Sequence, residues 1–176
     1  VDNLRTSKPY YRSGYVFVYR KSSNYNIKDW DSEDLRKGII GIVGQSPPTI
    51  PLNDHNLMAN ARPYRLQRDL NLPPSFIVDD LIAGKIDIAI VWGPIGGYFA
   101  KQSKEPLVVV PVPEYQDKNI KGKEEWNISV AVRKKDKERM AMIQGALDRN
   151  QDKILKILDE YGIPHKPVVL GEKVGN

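Results

Sequence analysis

One unbroken apolar run, Ile88–Trp92, constrains this chain more than any other segment. Five apolar residues without polar alternation are typical of a strand that is buried on both faces, as in a parallel sheet covered by helices. The run follows a predicted helix over residues 75–83, with Ser75 as the expected N-cap and Gly84 as the expected C-cap. It stops at Gly93, where a second helix is expected to begin. In open α/β sheets of this kind, ligands bind beyond the carboxyl ends of the strands.

Composition excludes several classes of protein. A length of 176 residues suits one ordinary domain, or one lobe with parts of another. The chain is 40% hydrophobic and 28% charged, which indicates a globular rather than a disordered protein. No apolar run approaches the ~20 residues of a membrane span, so we expect no membrane insertion. The net charge of +5 arises from 27 basic and 22 acidic residues, a mixture that favours a solvated surface over a nucleic-acid-binding face.

The remaining segments alternate between strand and helix patterns. Strands are predicted at residues 10–20, 39–44, 62–66, 107–112 and 127–133, short helices or turns at 29–37 and 51–58, and a charged loop at 115–125. Residues 136–161 carry apolar side chains at helical spacing, with Asp136 as a cap, a break near Asn150 and a stop at Gly162. This order predicts an α/β fold with a mostly parallel sheet flanked by helices.

Two of the predicted strands do not fit the alternation. The strands at residues 10–20 and 127–133 bracket the βα block and behave like two connections that enter and leave a lobe. This arrangement resembles the type II periplasmic solute-binding proteins, in which two crossing strands join two lobes.

Two sequence segments carry a closer resemblance. Residues 9–13 read Pro-Tyr-Tyr-Arg-Ser and residues 91–94 read Val-Trp-Gly-Pro, and both are similar to the MoxJ and XoxJ family of methylotrophic bacteria. These are binding-protein-like partners of quinoprotein methanol dehydrogenases. The resemblance covers residues 6–164. Within this range, residues 77–100 and 126–134 are also similar to the family.

The resemblance implies a division of the chain into lobes. Residues 1–20 would form a remnant of lobe 1 with the first crossing strand. Residues 21–126 would form a complete lobe 2, and residues 127–176 the second crossing strand with the C-terminal helices of lobe 1. The chain is therefore expected to lack the N-terminal half of lobe 1.

The loop after the predicted strand at residues 39–44 is a candidate anion site. In amino-acid-binding relatives a Gly-Thr-Thr loop at this position holds a carboxylate through backbone N–H groups and hydroxyls. Here Pro47 and Pro48 remove two N–H donors, which weakens the site, although Ser46 and Thr49 can still contribute.

Trp92 stands where amino-acid binders usually carry an acidic residue that pairs with the ligand's ammonium group. It offers an apolar face and one N–H donor, so amino-acid transport is disfavoured, while a core role and a cleft-lining role both stay open. The glycines from Gly93 onward lack the ending of a phosphate loop, and close packing of a helix on the sheet explains them better. The candidate ligand or partner cleft comprises Tyr10, Tyr11, Arg12, Gln45, Ser46, Thr49, Trp92, Gly93 and Tyr98. The three at the presumed hinge, residues 10–12, would either line this cleft or stitch the hinge together.

No catalytic or metal site is predicted. His55 and His165 are far apart and have neither triad spacing nor a second histidine four residues away. Asp79 and Asp80 are adjacent and would project about 100° apart on a helix, so they are not a catalytic pair. The chain has no cysteine, which excludes disulfides and thiolate metal ligands, and no cofactor is expected.

The resemblance implies a non-enzymatic periplasmic accessory protein. It would assist the assembly or activation of a PQQ-dependent methanol dehydrogenase by protein contact, as a chaperone-like factor. The alternative is the substrate-binding protein of an ABC transporter for an apolar or aromatic small molecule. We also expect uncovered apolar surface on the predicted helix at 136–161 to drive formation of a homodimer, with exchange of terminal helices as one route.

Overall fold

A mixed sheet forms the centre of the computed structural model, which describes residues 3–65, 71, 73–114 and 124–171. The strands are β1 (Leu4–Thr6), β2 (Tyr11–Arg20), β3 (Ile40–Val43), β4 (Ala61–Tyr64), β5 (Ile88–Trp92), β6 (Leu107–Pro111), β7 (Glu125–Ile128) and β8 (Ala131–Arg133). The α-helices are α1 (Thr49–Asp54), α2 (Phe76–Ile82), α3 (Gly93–Gln102), α4 (Lys137–Arg149) and α5 (Gln151–Glu160), and short 3-10 helices lie at Lys21–Ser23, Glu33–Arg36 and Met58–Asn60. Residues 66 and 115–123, which fall in a predicted strand and the predicted charged loop, lie outside the described residues.

The six-stranded sheet has the order β4-β3-β5-β2-β6, and β7 pairs with the first part of β2. Strand β3 is parallel to β4 and β5, whereas β2 is antiparallel to β5, β6 and β7. Among the described strands of this sheet, β2 alone therefore runs against the others. The predicted α/β class with a sheet flanked by helices is confirmed, but the sheet is mixed, because β2 pairs antiparallel with β5, β6 and β7 while β3 pairs parallel with β4 and β5.

Both faces of the sheet are buried, because the apolar run of β5 supplies side chains to each. Ile88 and Ile90 lie in a cluster with residues of the 21–57 region, including the buried Trp30. Ala89 and Val91 lie in a second cluster on the opposite face, beneath α2. The strand prediction for the opening run is thus confirmed, together with its burial on both faces.

Strands β1 and β8 form a separate two-stranded sheet. The prediction of one strand over residues 127–133 is wrong, because the segment is interrupted between β7, which pairs with β2, and β8, which pairs with β1. We call residues 7–10 and 129–130 the hinge passages, since they connect the two sheets. Ser7 N–H donates to the Val130 carbonyl at 2.9 Å, which joins the two passages, and Tyr10 N–H donates to the carbonyl of Ile128, the last residue of β7, at 3.0 Å.

Two helices end just before the glycines that the sequence predicted as helix stops. Gly84 and Gly162 both have φ of +72°, the left-handed conformation that favours glycine, and each follows the C-cap residue of its helix, α2 or α5. The predicted break at Asn150 is confirmed, since α4 and α5 meet there with a backbone φ of −120°. Over the residues described, no helix combines the length and apolar character needed to cross a bilayer.

Both predicted N-cap residues stand where they were expected, but without a side-chain cap. Ser75 and Asp136 occupy the N-cap positions of α2 and α4, but neither side chain caps the helix backbone. The Ser75 hydroxyl donates to Asp79 Oδ2 at 2.7 Å, and Arg133 Nε donates to Asp136 Oδ2 at 2.9 Å. In both cases the side chain at the N-cap position is hydrogen-bonded to another side chain rather than to the helix backbone.

Candidate functional site

A cleft of about 410 Å³ opens at the carboxyl ends of β3 and β5, the position expected for a ligand in this fold. It is lined by Tyr15, Val43, Gly44, Gln45, Ser46, Pro47, Pro74, Phe76, Ile77, Val91, Trp92 and Ile95. None of the described residues that line this cleft is charged. Of the nine predicted cleft residues, the structure brings three together here: Gln45, Ser46 and Trp92.

In the loop after β3, hydroxyl and backbone N–H donors form hydrogen bonds within the loop itself. The Ser46 hydroxyl donates to the Val43 carbonyl at 2.6 Å, and the Thr49 hydroxyl donates to the Ser46 carbonyl at 2.7 Å. The backbone N–H groups of Ser46 and Thr49 are hydrogen-bonded within the same loop, and Pro47 and Pro48 have none. This loop therefore offers an anion few donors, which agrees with the weakened anion site expected from the sequence.

Trp92 belongs to an aromatic cluster at the mouth of the cleft. Its ring centroid lies 5.6 Å from that of Tyr15 and 5.7 Å from that of Trp126, and the Tyr15 and Trp126 centroids are 6.0 Å apart. Burial raises the pKa of the Tyr15 phenol, which keeps the cluster neutral. Trp92 is half-buried and lines the cleft, so of the two roles left open for it the geometry favours the cleft-lining one.

Sequence reasoning missed two members of this cluster. Tyr15 lies directly opposite Trp92 in the register of β2 and β5, and Trp126 lies on β7 beside β2. The aromatic residues of β2 were visible in the sequence, but their position opposite Trp92 depends on the antiparallel pairing of distant strands.

Gly93 and Tyr98 lie outside the residues that line the cleft. A methyl group on Gly93 would overlap the carbonyl oxygen of Gly14, so this glycine allows α3 to approach β2 closely, as predicted from the sequence. The Tyr98 ring stacks on the Tyr161 ring, with centroids 5.9 Å apart, and joins α3 to the end of α5. The structure therefore places Tyr98 in a contact between α3 and the end of α5 rather than in the cleft lining.

The predicted hinge residues lie away from this cleft. Arg12 is buried, its Nε lies 3.3 Å from Glu125 Oε2, and its Nη1 lies 3.3 Å from Asn127 Oδ1. Of the two roles considered for it, this geometry supports stitching of the hinge. The rings of Tyr10 and Tyr11 meet edge to face at 5.1 Å and line a second groove of about 500 Å³ beside α5. Burial, and then the neighbouring Tyr10, raises the pKa of Tyr11.

The two histidines occupy separate places in the fold. His55 Nδ1 lies 3.2 Å from Asp31 Oδ1, and His165 Nε2 lies 2.7 Å from Asp159 Oδ1. Within the described ranges, no group of three or more His, Cys, Asp or Glu side chains is arranged to hold a metal ion.

Comparison with known proteins gives consistent relatives. No family model matches the chain. Protein MoxJ of Methylorubrum extorquens is 30% identical over 175 residues, which span 93% of this chain and 58% of the relative. Protein MoxJ of Paracoccus denitrificans is 28% identical over 179 residues, which span 94% of this chain and 64% of the relative. The chain thus spans less than two thirds of the length of these curated relatives.

Solved structures agree with the sequence relatives. The crystal structure of the periplasmic binding protein XoxJ from Methylobacterium extorquens AM1 matches with a TM-score of 0.77 at 28% identity, over 94% of this chain and 76% of that one. The substrate-binding protein of an amino-acid ABC transporter matches with a TM-score of 0.54 at 19% identity, over 91% of this chain and 64% of that one, which shows a likeness of fold alone. The chain is therefore similar to the MoxJ and XoxJ proteins, and its fold resembles that of the periplasmic solute-binding proteins.

Proposed function

We propose that this chain acts in the periplasm as a non-enzymatic accessory protein that contacts a PQQ-dependent methanol dehydrogenase and assists its assembly or activation. Its similarity to MoxJ and XoxJ supports the association with such a dehydrogenase, because the resemblance seen in residues 9–13 and 91–94 implies it. The accessory role is distinct from the import of a solute.

The uncharged cleft is the observation that carries this proposal. A free amino acid presents a carboxylate and an ammonium group, and burying either one without an opposite charge or strong hydrogen bonds is costly. The described lining of the cleft has no acidic or basic side chain, and the Ser46 hydroxyl proton is already donated to the Val43 carbonyl. The cleft is therefore poorly suited to a charged metabolite and better suited to an apolar surface.

We place the contact with the dehydrogenase at the rim of the cleft. Gln45, Ser46 and Trp92 would meet the partner there, because a half-buried tryptophan in an aromatic cluster has the character of an interface anchor. Tyr10, Tyr11, Arg12, Thr49, Gly93 and Tyr98 would support this surface from the hinge, the loop and α3.

The decisive experiment is a binding assay with purified methanol dehydrogenase in its PQQ-free and PQQ-loaded forms. We expect the chain to bind at least one form and Gln45→Glu to weaken binding at least about tenfold, because it places a charge in the apolar rim. Gln102→Glu is the matched control, since Gln102 is exposed at the end of α3, and it should bind like the natural chain. Failure to bind either form, with tight binding of an apolar metabolite instead, would favour the transporter receptor.

A further inference from the structure

The chain returns to the main sheet after α5. Residues 163–169, which we call the strap, run beside the start of β2 and along β7. The Lys166 N–H donates to the Arg12 carbonyl at 2.8 Å, and the buried Ser13 hydroxyl donates to the Pro164 carbonyl at 2.6 Å. The strap is therefore attached to β2 through one of its backbone N–H groups and one of its backbone carbonyl groups.

The strap is attached to β7 as well. The Asn127 side chain makes two hydrogen bonds to one residue: its Nδ2 donates to the Val169 carbonyl at 2.6 Å, and its Oδ1 accepts the Val169 N–H at 3.1 Å. Lys166 Nζ also forms an ion pair with the carboxylate of Glu125. That carboxylate is buried and is shared with Arg12, so separating the strap from β7 would disturb a buried charge pair.

The end of α5 packs against α3, the helix that directly follows β5 of the six-stranded sheet. The Tyr161 ring stacks on Tyr98 of α3, and Lys101 Nζ donates to the Asp159 carbonyl at 3.0 Å. Gly97 leaves room for the Gly162 carbonyl oxygen, which a larger residue would displace. The segment that leads into the strap is thus attached to α3 by a ring contact and a hydrogen bond.

We propose that the strap locks the hinge, so that the β1–β8 sheet with α4 is held at one fixed angle to the six-stranded sheet. The two hinge passages alone would permit bending, because backbone rotation at residues 7–10 and 129–130 changes the angle between the sheets. The strap is a third connection, hydrogen-bonded to β2 and to β7, and bending would have to break these bonds. The protein is therefore expected to keep one orientation of the β1–β8 sheet relative to the six-stranded sheet rather than to alternate between several.

The test is a distance measurement between the two parts of the chain. Ala83 at the end of α2 and Ala141 on α4 are both exposed, and the chain has no native cysteine, so Ala83→Cys and Ala141→Cys accept spin labels specifically. Helix α4 contacts β1, and Gln144 Oε1 accepts the Lys8 N–H, so the second label reports on the β1–β8 part. We expect a single narrow distance distribution in the natural background.

Removing the strap's side-chain attachments should release the hinge. In the combined variant Ser13→Ala, Asn127→Ala and Lys166→Ala, we expect the distribution to broaden at least about twofold as further hinge angles become populated. Lys153→Ala, an exposed position on α5, is the matched control and should keep the narrow distribution. A distribution that is already broad in the natural background, or one that stays narrow in a folded triple variant, would overturn the proposal.

A second measurement needs no variant. If the strap is a stable part of the fold, the Lys166 amide should exchange with solvent at least about 100-fold more slowly than in an unfolded peptide. Exchange at the unfolded rate would overturn the lock whether or not the triple variant folds. Neither result depends on a dehydrogenase, so the outcome is independent of the proposed function.

Discussion

Tyr15 and Trp92 face each other directly across β2 and β5, with ring centroids 5.6 Å apart and ring planes at 69°. Edge-to-face pairs of this geometry contribute about 0.5–1.5 kcal/mol beyond the apolar area that they bury. Trp126 completes the cluster from β7, so one half-buried aromatic group connects three strands at the mouth of the cleft. The same rings stabilise the sheet and shape the surface that the protein offers to a partner.

The aromatic cluster predicts an energetic coupling between Trp92 and Trp126. In a double-mutant cycle with Trp92→Ala and Trp126→Ala, we expect the two losses of unfolding free energy to be non-additive by about 1 kcal/mol. Urea unfolding of the four proteins measures this. As a control, Trp30→Phe should be additive with Trp126→Ala within about 0.5 kcal/mol, because Trp30 lies in a separate ring cluster with Phe17 and His55. Additivity of the Trp92 and Trp126 effects would contradict the cluster.

The close approach of α3 and the end of α5 predicts that Gly97→Ala is destabilising. The added methyl group would overlap the Gly162 carbonyl and lie 2.6 Å from Pro164 Cδ, and overpacking of this kind costs about 1–3 kcal/mol. Gly145→Ala on α4 is the matched control, since its methyl group would meet only the flexible end of Arg149 at 3.1 Å. That control should gain about 0.5–1 kcal/mol from helix propensity. Equal unfolding free energies for the two variants would show that the contact is loose.

The Tyr64 phenol predicts a loss of stability at alkaline pH. Burial, and then its hydrogen bond to Asp80 at 2.7 Å, raises the pKa of Tyr64 from 10.0 to about 12. Between pH 10 and pH 12 this phenol is neutral in the folded state and ionised in the unfolded state, so stability falls as the pH rises. We expect the unfolding free energy of Tyr64→Phe to fall less over this range than that of the natural chain. Parallel curves for the two proteins would contradict the prediction.

The partner carboxylate predicts the opposite dependence at acid pH. Hydrogen bonds from Lys85 and then from Tyr64 lower the pKa of the Asp80 carboxyl below its ordinary value. A group whose pKa is lowered by folding stabilises the protein above its unfolded pKa, and this contribution disappears as the pH falls through the folded pKa. Asp80→Asn should therefore be less stable than the natural chain at neutral pH and should approach it in acid. A difference that stays constant with pH, measured by urea unfolding, would show that charge is not the cause.

We propose that the chain forms a homodimer through exposed apolar side chains on α4 and α5. Met142 is 76% exposed and Ile157 is 51% exposed, more than isolated surface positions require. We expect the chain to associate at micromolar concentrations in sedimentation experiments, and Met142→Lys with Ile157→Lys to shift it toward monomer. Met58→Lys is the matched control, because this exposed methionine lies in the separate 3-10 segment before β4. A compact monomer at tens of micromolar would end the proposal.

Local pattern was sufficient for most elements of this fold. The apolar run of β5 predicted its own burial, Gly84 and Gly162 predicted two helix ends, and Asn150 marked the junction of α4 and α5. These features depend on residues that are neighbours in sequence, where backbone sterics and side-chain periodicity act directly. The capping roles of Ser75 and Asp136 were not predictable in the same way, because each depends on which partner the folded chain places nearby.

By itself, the sequence determined the α/β class and the buried strands. It also determined that neither Trp92 nor the proline-containing loop after β3 brings a charged side chain to the cleft. Only the tertiary structure decided which predicted site residues meet: Gln45, Ser46 and Trp92 share the cleft, whereas Arg12 joins the hinge network. The physical reason is the antiparallel insertion of β2 between β5 and its other neighbours, which sets the register of residues separated by 69 or more positions in the chain. No local periodicity encodes that pairing, since it depends on the free energy of the whole sheet.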